Sequence, residues 1–104
     1  MIRLGLAQIN STVGDLEGNI QKTLSFVERA KEQDVDLVVF PELSLCGYPP
    51  EDLLYKDHFI QDNKKGLTSL ARQIDGIVVV VGFVDQDEHG IYNAAAVLTK
   101  GEVK

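Results

Sequence analysis

One cysteine, Cys46, stands in the 104 residues. No internal disulfide can form, and nothing in the chain requires an oxidising compartment. No apolar run is long enough to cross a bilayer. Basic clusters are also missing. Ten Lys and Arg stand against 16 Asp and Glu, a formal charge of −6, which argues against a nucleic-acid backbone as partner. A phosphate-cradling loop is absent as well: Gly14 and Gly18 lack the lysine and hydroxyl that such a loop needs. His58 and His89 have no metal-ligand partners at usable spacing, so no metal is expected. The N-terminus runs straight into strand-like sequence without an apolar leader and small-residue cleavage site, and a cytoplasmic location is the expectation. There is no internal repeat and no low-complexity linker. A chain of this length is one domain or part of one.

What is present is a regular alternation of apolar patterns. Arg3 to Ile9 reads as a strand, followed by a polar turn from Asn10 and a corner at Gly14-Asp15. From Asn19 to Gln33 the period lengthens. Ile20, Leu24, Val27 and Ala30 share a face, and Lys22, Glu28, Arg29 and Glu32 share the other. Asp15 and Gly18 are its start signals. Asp36 to Phe40 is a second strand, apolar without a break after its first residue, as suits a strand covered on both sides. A second helix is predicted over about Phe59 to Gln73, with Ile60, Leu67, Leu70, Ala71 and Ile74 inward and Asp57 as N-cap. Ile77 to Val84 opens on a run of β-branched residues and makes a third strand. Asp85 to Gly90 reads as a turn, and Ile91 to Thr99 as the returning strand of a hairpin. Glu102 begins a further strand. Helices with one apolar face beside strands with two predict a sheet with helices on one side and a further layer on the other. That layer is expected from sequence beyond Lys104 or from a second copy.

The stretch from Asp36 to Leu54 is where chemistry is expected. Its strand stops at Pro41-Glu42, and a carboxylate just past a buried strand is placed to act as a general base. The other reading is a charged residue simply leaving the strand for solvent. Cys46 follows in an irregular run holding Gly47-Tyr48 and Pro49-Pro50. It could serve as a nucleophile, but Leu43, Leu45 and Leu53 favour a buried apolar role. Gly82-Phe83 in the third strand would admit a close backbone or ligand, or mark a bulge. Asn93, ahead of Ala94-Ala95-Ala96, would hold the neighbouring loop or cap the hairpin, and Asn19 stands similarly at its helix start.

The element FPELSLCGYPPEDLL resembles the first catalytic segment of the nitrilase superfamily, the carbon–nitrogen hydrolases. LGLAQINSTVGDLEGNI is similar to that superfamily's first strand and helix, and GFVDQDEHGIYNAAAVLTKGEV to its next hairpin. Within the superfamily, Gly47 to Leu54 is most similar to the glutamine-hydrolysing domains of glutamine-dependent NAD synthetases. The resemblance implies an α/β fold, the incomplete N-terminal part of an α-β-β-α sandwich in the order β-α-β-α-β-β, cut before the family's lysine and cysteine. It implies Glu42 as the general base, with Tyr48, Phe83 and Asn93 as candidates for lining the substrate pocket, and it assigns no role to Cys46. It implies L-glutamine as ammonia source and nicotinic acid adenine dinucleotide as acceptor. No cofactor is expected within residues 1–104; ATP and magnesium are expected for a separate synthetase domain. A homo-oligomer is expected, and the piece alone is expected to be inactive. Two other readings remain open: another amidase of the superfamily, and a non-catalytic module that pairs with its own copy through the uncovered sheet.

Overall fold

A computed structural model describes residues 1–42, 44–48 and 58–104. The elements run β1 (Leu4–Leu6), α1 (Leu16–Glu32), β2 (Leu37–Val39), α2 (Phe59–Arg72), β3 (Val78–Asp87), β4 (Gly90–Thr99) and β5 (Glu102–Val103). The sheet order is β1-β2-β3-β4-β5. β1, β2 and β3 pair in parallel, with Leu4 opposite Leu37 and Leu37 opposite Val78. β3 and β4 form an antiparallel hairpin in which Val81 faces Ala96 and Val84 faces Asn93. Parallel pairing sends the C-terminal ends of the first three strands to one edge of the sheet, so the loops after β1 and β2 meet there.

Strand alternation decides the core. Val38, Val79, Val81, Ala96 and Leu98 point one way and are buried with Ile20, Val27 and Ala30 of α1 and Leu67, Leu70 and Ala71 of α2. Both helices therefore cover the same face, as their single apolar stripes predict. The opposite positions are open. Leu4, Leu6 and Val97 are exposed, and Leu37, Val39, Val78 and Val80 are half-buried.

Element boundaries differ from the expectations for local reasons. α1 starts earlier than Asn19 because Asp15 caps it, its Oδ1 accepting from the Gly18 N–H at 3.0 Å. α2 starts after His58, a residue in the left-handed region at φ 67° with no side-chain cap bond; Asp57 lies outside the described residues. β3 runs on to Asp87, so most of the polar stretch read as a turn is ladder and the reversal is confined to Glu88-His89. β1 is the shortened one: only Leu4–Leu6 stay in the ladder. After the Ala7 N–H bond to Val39 O at 2.8 Å the chain leaves for the loop. No helix among the described residues is long and apolar enough to cross a membrane.

Candidate active site

Phe40 still follows the strand path, its N–H donating to Val80 O at 2.9 Å. Pro41 then removes the next donor and the chain turns away. The loop stays beside β3, where the Leu45 N–H donates to Gly82 O at 3.2 Å.

Glu42 leaves this loop and accepts a hydrogen bond at Oε1 from Asn93 Nδ2. Asn93 shares its strand parity with exposed Ala95 and Val97, not with buried Ala96 and Leu98. The pair therefore lies on the face that α1 and α2 leave uncovered, at the edge where the parallel strands end. Of the two readings of Asn93, holding a neighbouring loop or capping the hairpin, this bond matches the first. Glu42 is exposed among the described residues, more so than the position of a base after a buried strand suggests.

Beside Glu42 lies a hollow of about 170 Å³. Ile9, Asn10 and Ser11 line one side; Pro41, Glu42, Ser44 and Tyr48 line the other. Ser44 is buried, and its Oγ, itself out of reach of solvent, has no hydrogen-bond partner among the described residues. Two larger hollows lie along α1 and the edge of β1, of about 640 and 300 Å³. Neither includes Glu42 or any other carboxylate in its lining.

Tyr48 lines the hollow and is exposed, open to a ligand. Phe83 is elsewhere: it sits at 8% exposure in the helix-side core, because it shares parity with Val81. It does not line the Glu42 hollow. Pro49, Pro50 and Leu53 lie outside the described residues. Sequence reasoning missed Ile9, Asn10, Ser11 and Ser44. The polar run after β1 was a usable signal once β1 and β2 were read as parallel, since that pairing puts the two loops side by side.

Cys46 is fully buried, packed with Phe59, Ile60 and Val84. Burial raises its thiol above the ordinary range, although a backbone hydrogen bond pulls the other way. A protonated, water-shielded thiol is a poor nucleophile. Among the described residues no three His, Cys, Asp or Glu gather as a metal site would need.

A profile of the family described as carbon–nitrogen hydrolase matches residues 3–103. The glutamine-dependent NAD(+) synthetase of Thermotoga maritima is 46% identical over 98% of this chain, which spans 18% of that protein. The crystal structure of a glutamine-dependent NAD(+) synthetase from Cytophaga hutchinsonii superposes with a TM-score of 0.93 at 31% identity, over 99% of this chain and 18% of that one. An amidase from Nesterenkonia sp. superposes with a TM-score of 0.81 at 25% identity, over 99% of this chain and 40% of that one. The five-stranded sheet with its helices on one face is thus shared with both kinds of enzyme, and the chain belongs to the carbon–nitrogen hydrolase family.

Proposed function

We propose that residues 1–104 are the N-terminal portion of the glutamine-hydrolysing domain of a glutamine-dependent NAD synthetase. In this reading the domain releases ammonia from L-glutamine, and a separate domain uses it to amidate nicotinic acid adenine dinucleotide with ATP and magnesium. The whole-chain similarity to the Thermotoga maritima synthetase supports the choice of enzyme. The observation that carries the chemistry is the Glu42 carboxylate, held by Asn93 at the rim of a hollow with polar walls.

Glu42 is the general base. Its carboxylate takes the proton from a cysteine thiol that lies outside this chain, and the thiolate attacks the carboxamide carbon of glutamine. The same proton is then given to the leaving nitrogen, so ammonia departs and a thioester remains. Glu42 next takes a proton from water, whose oxygen attacks the thioester and frees glutamate and the thiol. A lysine outside this chain stabilises the oxyanion. Tyr48 belongs to the pocket wall contributed here, and Asn93, outside that lining, holds Glu42 in place. The cytoplasm and a homo-oligomeric assembly belong to the same proposal.

The test is Glu42→Gln in the full-length protein. Release of ammonia from glutamine should fall by at least about 10²-fold. NAD synthesis from added ammonium salt should persist. Glutamine hydrolysis at the unsubstituted rate would remove Glu42 from the reaction. The likeness to the Nesterenkonia sp. amidase favours one other reading, a hydrolase of small amides. Turnover of simple amides without ATP, and no turnover of glutamine, would select it.

A further inference from the structure

Asn19 lies in the first turns of α1, where a polar side chain ordinarily reaches water. It is instead fully buried. Its carboxamide makes three hydrogen bonds that all leave the helix. Nδ2 donates to Thr12 O at 2.8 Å and to Leu45 O at 3.0 Å, and Oδ1 accepts from the Thr12 N–H at 2.8 Å. Both amide hydrogens are therefore used. Thr12 belongs to the loop after β1, and Leu45 to the loop after β2 that carries Glu42.

Two more bonds join the same loops. Ser11 Oγ donates to Ser44 O at 2.7 Å, and the Gly14 N–H donates to Cys46 O at 2.8 Å. The approach is tight: a Cβ on Gly47 would stand 2.6 Å from Val13 Cα. The Leu45 peptide is held from both ends, by Gly82 of β3 at its N–H and by Asn19 at its carbonyl. The loops so joined supply the two walls of the Glu42 hollow, Ile9, Asn10 and Ser11 on one side and Pro41, Glu42, Ser44 and Tyr48 on the other. Asn19 touches neither the hollow nor Glu42.

We propose that Asn19 is a positioning residue: its buried carboxamide sets the spacing of the two loops and, through Leu45, the placement of Glu42. This rests on the reading of Glu42 as the base. A reacting group displaced by about 1 Å loses on the order of 10²-fold in rate, so the effect belongs in kcat.

The experiment compares the unsubstituted full-length protein with Asn19→Ala and Ser11→Ala. The second leaves α1 intact and removes only the Ser11–Ser44 tie, so one variant remains informative if the first does not fold. Deuterium uptake is followed by mass spectrometry, and glutamine hydrolysis is measured on the folded monodisperse fraction. Asn19→Ala should speed exchange in both loops, residues 9–14 and 44–48, and leave the β3–β4 hairpin unchanged. It should lower kcat by about 10- to 100-fold, with KM for glutamine moved less than about threefold. Ser11→Ala should shift the same two loops in the same direction, less far.

Faster exchange confined to α1 or spread evenly over the chain would overturn the proposal. So would an unchanged kcat in the folded fraction. If the unsubstituted protein releases no ammonia from glutamine, the reading of Glu42 fails instead, and the exchange pattern still judges whether Asn19 holds the loops.

Discussion

Glu42 and Cys46 belong to one loop, and the fold treats them in opposite ways. The carboxylate is exposed and oriented by Asn93, whereas the thiol is sealed under Phe59 and Ile60. Two outcomes follow for single residues. Asn93→Ala removes the donor that orients Glu42, and should lower kcat for glutamine hydrolysis about tenfold, roughly the loss expected from one well-placed hydrogen bond. Steady-state kinetics with the melting temperature as control would check it; unchanged kcat would mean the bond does not orient a catalytic group. Cys46→Ala should leave hydrolysis near the unsubstituted rate. The Cys46 thiol should also resist maleimide in the native protein up to mildly alkaline pH, because burial raises its pKa and keeps it protonated there. Reaction as fast as in the unfolded chain would contradict its burial. Pro41-Glu42 at the end of an apolar strand made Glu42 a candidate, evenly against a charge leaving for solvent, and the resemblance to the carbon–nitrogen hydrolases favoured the base. That Asn93 is its partner was not legible, since the contact spans 51 positions and depends on the hairpin register that sets Val84 opposite Asn93.

Among the elements, α2 and β3 are joined by a buried side chain and by a surface ion pair, and these should differ in weight. Asn63 is fully buried, and its Oδ1 accepts from the Val84 N–H at 2.8 Å. Asn63→Ala leaves that N–H without a partner and opens a small void, which should cost about 1–3 kcal/mol in denaturant unfolding. Lys64 and Asp85 meet at 3.0 Å on the surface between the same two elements. Bonding to Lys64 lowers the Asp85 pKa. A lowered folded-state value gives stability that is fully present above the ordinary carboxylate value and is lost as pH falls from there through the lower folded value. Water screens the pair, so Lys64→Ala should change stability by less than about 1 kcal/mol. If the two variants cost the same, the buried bond has been overvalued. Both helices and the hairpin could be read from periodicity and the β-branched run. Their ends could not: the Asp15 cap, the left-handed His58 and the ladder bonds that carry β3 to Asp87 are each set by a local geometry rather than by a pattern.

For the whole molecule the decisive feature is the sheet face that neither α1 nor α2 covers. Leu4 aligns with Leu37 and Val78, and Leu6 with Val39, Val80 and Val97, so two apolar rows cross the sheet. Their outer members stay open: Leu4 is 55% exposed, Leu6 71% and Val97 40%. This was readable in outline, because β2 and the part of β3 up to Val84 carry no polar side chain and the two helices can cover only one side. The chain spans 18% of the Thermotoga maritima synthetase and 40% of the amidase it superposes on, both of which have much more chain. Residues 1–104 expressed alone have only a second copy to cover the two rows. An apolar patch beyond a few hundred Å² favours association. The piece should therefore self-associate with rising concentration, and Leu6→Lys with Val97→Lys should shift it toward monomer without loss of circular dichroism. Those two side chains lie on the open face and outside the helix-side core, so charging them should spare the fold. Light scattering across a dilution series decides: a monomer at every concentration would mean the rows are not sticky enough to act, and association unchanged by the lysines would place the contact elsewhere, most simply on the unpaired edge of β1.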